Sequence, residues 1–362
     1  MTVKKEHMRQ LAEYRSGLLK NPCLKFLFFE LTDCCNLACR HCGSSCSPKN
    51  SQFLRKELIF KVLDDVKQRY GTQPMICLTG GEPLLHPDFF EIAQYIHEKG
   101  FYWGITTNAT LINENVASKL AKCKMTSVAF SLDGGKDSHN ALRGSVNAYD
   151  LCLSGIANTV KMCPNTVTMV TTVVSKLNLG ELDGVYETVC ALGVDSWRVV
   201  NVDPIGRAAH SDILLDNEQL LYLFNYIRDK RNNPDISLDV TYGCSHYLTE
   251  GYESEVRDSY FLCASGIFTA SILCNGDIFS CLDIERLPEL VQGNVATDNF
   301  VDVWEKRFAV FRQDRTSLND ACSNCSEKVY CAGDSAHTWD FRKNRPNLCI
   351  KNILDKNKEG NI

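Results

Sequence analysis

The stretch KFLFFELTDCCNLACRHCGSSC, residues 25–46, joins a short apolar run to a dense group of cysteines. Its first part, residues 25–33, is rich in aromatic and aliphatic side chains, which favours a β-strand. The next thirteen residues, 34–46, contain five cysteines. The stretch therefore predicts a thiol-rich loop directly after a strand.

Short apolar segments and longer helical patterns alternate through the middle of the chain. Predicted strands cover residues 25–33, 74–80, 101–108, 125–133, 166–174 and 195–204, and predicted helices cover 57–70, 89–100, 112–123, 149–160 and 179–193. Each strand–helix unit has the roughly 30-residue size of a βαβ repeat. The alternation predicts an α/β protein with a parallel sheet, either doubly wound or closed into a full or partial barrel.

Composition limits the classes of function. The chain has 362 residues, 44% of them hydrophobic, and a formal net charge of −5, without a basic tract that could follow a phosphate backbone. We therefore expect neither a nucleic acid nor a membrane surface as its partner. Residues 1–22 read as a charged helix rather than a signal peptide, and no apolar run approaches a membrane span, so a cytoplasmic protein is expected.

Nineteen cysteines are the unusual feature of this composition. In a long chain without an export signal, thiols at short spacing more often bind metal than form disulfides. Cys35, Cys39 and Cys42, the cysteine triplet, have the spacing C-x3-C-x2-C. A zinc site favours four ligands in pairs, whereas three thiolates on one loop suit a 4Fe-4S cluster with one open iron. Cys34 and Cys46 are expected to be bystanders.

Polar and glycine-rich segments follow three of the predicted strands. They are Thr-Gly-Gly-Glu-Pro at 79–83, Thr-Thr-Asn at 106–108 and Ser-Leu-Asp-Gly at 131–134. Each glycine has an ordinary role in turns, but the carboxyl ends of parallel strands meet at one edge of a sheet. We therefore expect these segments to converge beside the cysteine triplet.

The triplet resembles the signature of the radical S-adenosylmethionine (radical SAM) superfamily, and Gly80, Gly81, Glu82 and Pro83 resemble its GGEP element, which contacts the cofactor's amino group. The resemblance implies a partial (β/α)6 TIM-like barrel over residues 25–205. It also implies that the open iron chelates S-adenosyl-L-methionine. An electron from the 4Fe-4S cluster then cleaves this cofactor to a 5′-deoxyadenosyl radical, which abstracts a substrate hydrogen.

Further cofactor contacts follow from the same resemblance. Thr107 and Asn108 resemble the segment beside the ribose, and Ser131 and Asp133 resemble contacts to the ribose or the methionine moiety. Arg143 resembles an arginine that pairs with the cofactor carboxylate, with a plain surface position as the alternative.

A second cysteine set near the C-terminus is similar to the SPASM extension of this superfamily. The set comprises Cys263, Gly276, Cys281, Cys322, Cys325, Cys331 and Cys349, with a predicted β-hairpin at 269–281. The resemblance implies one or two auxiliary iron–sulfur clusters, the second held by the last four cysteines. A structural zinc site is the alternative for these four.

The first auxiliary cluster lacks one expected ligand. The resemblance assigns to it the first two cysteines of the set and a cysteine four residues after Cys331, but Ser335 stands there. We expect Cys244 to complete the site, with Asp334, Ser335 and Cys274 as alternatives. The missing ligand also allows a smaller cluster, or an open iron for a substrate.

These features divide the chain into five predicted segments. They are an N-terminal helical extension (1–24), the barrel (25–205), a helical connector (206–239), the SPASM domain (240–355) and a tail (356–362).

Enzymes with this extension mostly modify peptides or proteins. The resemblance therefore implies a peptide maturase that forms a thioether or carbon–carbon cross-link, or oxidises a side chain, in a ribosomally made peptide. Alternatives are a sulfatase-maturase-like enzyme, a small-alcohol dehydrogenase, a peptide epimerase, and a non-enzymatic iron–sulfur or zinc protein. Asp283 is the candidate for taking a proton from the substrate, with Asp277, Asp334 and His337 as others. Only 34 residues precede Cys35, so we expect a separate leader-binding protein, besides an external reductant such as flavodoxin or ferredoxin.

Overall fold

The computed structural model describes residues 3–236 and 238–358, and its centre is a ten-stranded sheet. The strands are β1 (Phe26–Glu30), β2 (Met75–Thr79), β3 (Trp103–Thr107), β4 (Ser127–Ser131), β5 (Val167–Val174), β6 (Ser196–Asn201), β7 (Asp239–Tyr242), β8 (Thr269–Ile272), β9 (Asp277–Phe279) and β10 (Gly293–Asn294). Their order in space is β10-β9-β8-β1-β2-β3-β4-β5-β6-β7. All pairs from β8 to β7 are parallel, and β8–β9 and β9–β10 are antiparallel. A separate hairpin joins β11 (Trp339–Asp340) to β12 (Arg345–Pro346).

The helices follow the strands in the predicted alternation. They are α1 (Val3–Lys20), α2 (Lys56–Tyr70), α3 (Phe89–Glu98), α4 (Glu114–Lys122), α5 (Lys136–Arg143), α6 (Ala148–Met162), α7 (Leu182–Leu192), α8 (Asn217–Asn232), α9 (Thr249–Val256), α10 (Phe300–Lys306), α11 (Ala309–Arg312), α12 (Asp320–Ser323), α13 (Lys328–Cys331) and α14 (Ile350–Lys358). The six predicted strands and five predicted helices are confirmed, with ends that differ by a few residues. The sequence did not predict α5, because KDSHNALR offers few apolar side chains to mark a helical face.

The apolar core lies between the outer face of the sheet and the helices that cover it. In α2, the buried residues are Ile59, Val62, Leu63 and Val66, the spacing of one helical face. Alternate strand residues such as Trp197 pack into the same layer. Because side chains alternate across a strand, the residues between them point into the barrel interior.

The sheet crosses the domain boundary predicted near residue 240. β7 pairs with β6, and the predicted hairpin, confirmed as β8 and β9, extends the opposite edge with Thr269 beside Phe26 of β1. The barrel and the cysteine-rich C-terminal segment thus share one sheet. Residues 1–2 of the predicted extension and 359–362 of the predicted tail lie outside the described residues. Among the described helices, none is long and apolar enough to cross a membrane.

Candidate functional site

The loop after β1 brings the cysteine triplet together. Cys35 and Cys39 are buried, Cys42 packs partly buried against them, and the thiols act electrostatically on one another. Burial raises the pKa of Cys35 to about 12 and also raises that of Cys39. A hydrogen bond with Cys46 instead lowers the pKa of Cys42 to about 6.

Gly80 and Gly81 allow the loop after β2 to lie directly against the cysteine loop. Gly81 N donates to Thr32 O at 2.7 Å, and Glu82 N donates to Cys34 O at 2.9 Å. A Cβ atom on Gly81 would lie 2.2 Å from Cys34 O, and Gly80 has a φ of 147°, which L side chains rarely adopt. The close contact of the two loops therefore requires glycine at both positions.

The carboxylate of Glu82 is buried beside this contact. Thr107 Oγ1 and Asn108 N each donate to it at 2.9 Å. Burial raises the pKa of Glu82 to about 7. Asn108 Nδ2 also lies 3.8 Å from Cys35 Sγ. The segment after β3 thus links the glutamate to the triplet, which is the convergence that the strand ends predicted.

Asp133 and Arg143 form a buried ion pair beside the triplet. Asp133 Oδ2 lies 2.5 Å from Arg143 Nη2 and 3.3 Å from His41 Nε2. Arg143 Nη1 lies 3.7 Å from Cys39 Sγ. Burial favours the neutral acid, but the charges of Arg143, His41 and His139 together with a backbone hydrogen bond lower the pKa of Asp133.

This geometry decides one of the alternatives left by the sequence. The alternative of a surface position for Arg143 is wrong, because the side chain is buried. Asp133 is fully buried, and its carboxylate contacts Arg143 and His41; its expected contact with the cofactor stays a prediction. Ser131, at the end of β4, stays half-buried and paired with Thr171 of β5.

The loop after β6 covers the cysteine loop from another side, a contact that the sequence did not reveal. Arg207 Nε donates to Cys39 O at 2.7 Å, and Arg207 N donates to Cys42 O at 3.1 Å. Gly206 has a φ of 54°, and a Cβ atom there would lie 2.4 Å from Cys42 O. Both residues come soon after the predicted strand 195–204, so their place at a strand end was the available signal.

The last four cysteines of the C-terminal set, the second auxiliary group, line one cavity of about 460 Å³. They are Cys322, Cys325, Cys331 and Cys349. Burial, with the charges of Asp334 and neighbouring thiols, raises the pKa of three of them. Glu327 N donates to Cys325 Sγ at 3.4 Å, and Asp334 N donates to Cys331 Sγ at 3.2 Å. The structure therefore brings this group together with N–H donors aimed at its sulfurs.

Cys244, Cys263 and Cys281 form the first auxiliary group. Cys244 is exposed and Cys281 is half-buried, and the charges of Cys263 and Asp283 act on both thiols. Ala336 N donates to Cys263 Sγ at 3.3 Å. Cys244 comes two residues after the end of β7. The fold thus brings it to Cys263 and Cys281, the two cysteines that lacked a third partner in the sequence.

Ser335, Asp334 and Cys274, which could also have supplied the missing ligand, form contacts of their own. Ser335 Oγ donates to a backbone carbonyl at 2.6 Å. Asp334 Oδ2 lies 2.7 Å from His246 Nδ1, and Cys274 Sγ lies 3.7 Å from Gln52 Oε1. The geometry therefore favours Cys244.

Asp283 is exposed beside the first auxiliary group, and a buried network of carboxylates and imidazoles begins next to it. Its charge acts on His337, whose Nε2 lies 3.3 Å from Asp203 Oδ2. Asp203 Oδ1 lies 3.5 Å from His246 Nε2. Burial opposes ionisation of Asp203, but its hydrogen bonds to both imidazoles lower its pKa. The sequence did not predict Asp203 or His246, while Asp277 accepts a hydrogen bond from Asn275 Nδ2 within its turn.

Three groups of thiols are thus candidates to hold iron–sulfur clusters. Among residues 3–236 and 238–358, no three His, Cys, Asp or Glu side chains are grouped tightly enough for a single metal ion. The fit rests on other features: several thiols converge at each site, as cluster ligation requires, and N–H groups donate to their sulfurs, which tunes the potential of a bound cluster. Asn108 and Arg143 are such donors at the triplet. The donor sets fit iron–sulfur clusters.

Comparison with protein-family models gives two matches. Residues 29–189 match the model described as the radical SAM superfamily. Residues 263–326 match the SPASM model, described as an iron–sulfur cluster-binding domain. The first range contains the cysteine triplet and the loops around it, and the second contains part of both auxiliary groups.

The chain is also similar to individual proteins along most of its length. It is 31% identical to the AdoMet-dependent heme synthase of Methanosarcina barkeri (strain Fusaro / DSM 804), over 90% of this chain and 96% of that protein. It is 25% identical to the mycofactocin maturase MftC of Mycobacterium tuberculosis (strain ATCC 25618 / H37Rv), over 90% of this chain and 81% of that protein. The structure of Streptococcus suis SuiB bound to its precursor peptide SuiA is similar in fold, with a TM-score of 0.72 and 20% identity, over 90% of this chain and 75% of SuiB.

Proposed function

Since this chain belongs to the radical SAM superfamily and carries a SPASM iron–sulfur domain, we propose that it oxidatively modifies a ribosomally made peptide. Its cofactors are S-adenosyl-L-methionine and iron–sulfur clusters. When bound, they supply a 5′-deoxyadenosyl radical that takes a hydrogen from a substrate C–H bond.

The position of the first auxiliary group is the observation that carries this proposal. Cys244 closely follows β7 and lies close enough to Arg198 of β6 to feel its charge. A redox group held by Cys244, Cys263 and Cys281 would therefore lie beside the barrel interior. An electron acceptor in that place suits a reaction in which the substrate loses hydrogen and is then oxidised.

The proposed ligand sets follow the three thiol groups. Cys35, Cys39 and Cys42 would hold the radical-generating cluster, Cys244, Cys263 and Cys281 the first auxiliary cluster, and Cys322, Cys325, Cys331 and Cys349 the second. The residues proposed to surround S-adenosyl-L-methionine are Gly80, Gly81, Glu82, Thr107, Asn108, Ser131 and Asp133, with Arg143 behind them.

Glu82 is the proposed partner of the cofactor's amino group. Donors from Thr107 and Asn108 already fix its carboxylate, so little reorganisation is needed when a cation arrives. Burial alone favours the neutral acid, and a bound ammonium group would favour the carboxylate instead. Arg143, held by Asp133, keeps a positive charge beside Cys39.

Asp283 is the proposed acceptor of the proton that the oxidation releases. It is exposed beside Cys281, where a substrate next to the first auxiliary group could reach it. His337 and Asp203 lie behind it, and these buried groups could compensate for the change in charge when Asp283 takes up the proton. An acid on the open side of the group is the arrangement that this step needs.

Product mass tests the proposal. The anaerobically reconstituted enzyme is incubated with S-adenosyl-L-methionine, a reductant and a precursor peptide encoded beside its gene, with Cys39→Ala as the control. A peptide lighter by two hydrogens supports cross-linking or side-chain oxidation. An unchanged mass with inverted stereochemistry would mean epimerisation, and a peptide left unchanged while 5′-deoxyadenosine accumulates would contradict a peptide substrate.

Two partners belong to this proposal. A separate protein would hold the leader of the precursor, and flavodoxin or ferredoxin would supply the electron, in the reducing cytoplasm. Tight binding of the full precursor by the enzyme alone, measured by calorimetry, would remove the need for the leader-binding protein.

A heme-type substrate is the second candidate. The observation that favours it is the 31% identity over nearly the whole of a protein named as a heme synthase. Anaerobic titration with protoporphyrin tests it, because an enclosed porphyrin shifts its main absorption band. A saturable shift at one porphyrin per chain supports this candidate, and an unshifted band argues against it.

A further inference from the structure

Arg198 lies in the middle of β6 and points into the barrel interior. Its strand neighbours Trp197 and Val199 are fully buried on the outer face, where Trp197 packs against Tyr226 of α8. Because side chains alternate across a strand, Arg198 lies on the inner face. Thr171 of β5, its direct partner in the register, accepts a hydrogen bond from Arg198 Nη2 at 3.0 Å.

This arginine has no carboxylate partner within the described residues, since no Asp or Glu oxygen there lies within 4.0 Å of its guanidinium. Two other arginines near the interior are paired, Arg143 with Asp133 and Arg286 with Glu30 at 2.7 Å. A cation that is partly shielded from water is costly unless it is paired. Arg198 is therefore free to pair with an anion from outside the chain.

The position of Arg198 places it between the proposed cofactor contacts and the first auxiliary group. Ser131 is paired with Thr171, and Thr171 with Arg198, so the three lie in one row across β4, β5 and β6. Two strand spacings make that row roughly 10 Å long. On the other side, a Cβ atom on Gly243 would lie 3.7 Å from Arg198 Cδ, and the charge of Arg198 acts on the Cys244 thiol.

We propose that Arg198 binds a carboxylate of the peptide substrate and thereby fixes which C–H bond faces the cofactor. This inference rests on the proposed peptide substrate. A guanidinium matches a carboxylate with two parallel hydrogen bonds, which gives both affinity and orientation. The carboxylate belongs either to an acidic side chain or to the C-terminus of the peptide, and the two sources share the same chemistry.

Arginine labelling tests this without knowledge of the full substrate. The reconstituted holoenzyme is treated with phenylglyoxal, and the labelling rate of each arginine is read by peptide mass spectrometry. Three tripeptides serve as probes. The first has a central glutamate and capped ends, and the second has glutamine in its place and the same caps. The third is the glutamine peptide with a free C-terminal carboxylate. Arg143, which is buried and paired, is the internal control and should be labelled slowly under all conditions.

We expect at least one carboxylate probe to slow the labelling of Arg198 about tenfold or more, while the capped glutamine peptide does not protect it. Protection by the glutamate peptide identifies an acidic side chain, and protection by the free C-terminus identifies that end. Arg198→Gln should weaken binding of the protecting peptide about tenfold or more, and the matched variant Arg228→Gln, at a half-buried arginine on α8, should not. Equal protection by the capped glutamine peptide, or none by either carboxylate, would overturn the proposal.

The two proposals fail separately. Protection of Arg198 by a carboxylate, with a precursor unchanged in both mass and stereochemistry, would leave the carboxylate site standing and remove the peptide as its substrate. A modified precursor together with unprotected labelling of Arg198 would do the opposite.

Discussion

Gly81→Ala perturbs the contact on which the radical site depends. The added Cβ atom would lie 2.2 Å from Cys34 O, 2.6 Å from Cys34 C and 2.9 Å from Cys35 Cβ. Relief of these overlaps requires the two loops to separate by about 1 Å. Such overpacking costs about 1–3 kcal/mol. Loss of the hydrogen bonds from Gly81 N to Thr32 O and from Glu82 N to Cys34 O costs about 1 kcal/mol each.

The expected result is a folded protein with a damaged radical site. Iron content after anaerobic reconstitution should fall by the share of one cluster, because the auxiliary groups lie on other segments. Formation of 5′-deoxyadenosine should fall about tenfold or more, since about 1.4 kcal/mol corresponds to a factor of ten.

Gly184→Ala is the matched control, because the same methyl group meets no atom within 4 Å on helix α7. It should leave iron content and cleavage unchanged and add up to about 1 kcal/mol of helix stability. If Gly81→Ala retained the iron content and the cleavage rate of the parent enzyme, the role assigned to the glycine contact would be refuted.

Three further changes probe the other groups. Glu82→Gln keeps the side-chain size but removes the charge proposed to hold the cofactor's amino group. Affinity for S-adenosyl-L-methionine, measured by anaerobic calorimetry, should therefore fall about tenfold or more, and an unchanged affinity would reject that contact. Asp133→Asn leaves Arg143 buried without its carboxylate, which should lower the free energy of unfolding in urea by about 3–5 kcal/mol; an unaltered midpoint would contradict the buried pair. The Ser335→Ala variant should keep the full iron content, whereas the Cys244→Ala variant should lose the iron of the first auxiliary cluster. The reverse pattern of iron contents would make Ser335 the ligand.

The sequence could predict the elements whose signal is local. The strand at 25–33 and the helix at 57–70 have the periods of their elements, and their side chains pack as those periods require. The cysteine triplet and the segment 79–83 follow their strands directly, so the geometry of a parallel sheet alone brings them to one edge. Most of the radical site was therefore predictable.

Contacts between distant segments could not be predicted in the same way. Arg207 and Cys39 are 168 residues apart, and nothing in the periodicity of either segment reports their hydrogen bond. The pairing of β8 with β1, which joins the C-terminal segment to the barrel sheet, is likewise a long-range choice. Arg143 shows the same limit at short range, because a charged residue on the weakly apolar α5 reads as exposed until Asp133 is seen to neutralise it.

Cleavage of S-adenosyl-L-methionine is the most direct test of the central claim that the cysteine triplet generates a radical. The purified chain is reconstituted with iron and sulfide under anaerobic conditions, supplied with dithionite and the cofactor, and assayed for 5′-deoxyadenosine. The parent protein and Cys34→Ala should both form it, and Cys39→Ala should form none. No 5′-deoxyadenosine from iron-loaded parent protein, or equal amounts from Cys39→Ala, would contradict the account.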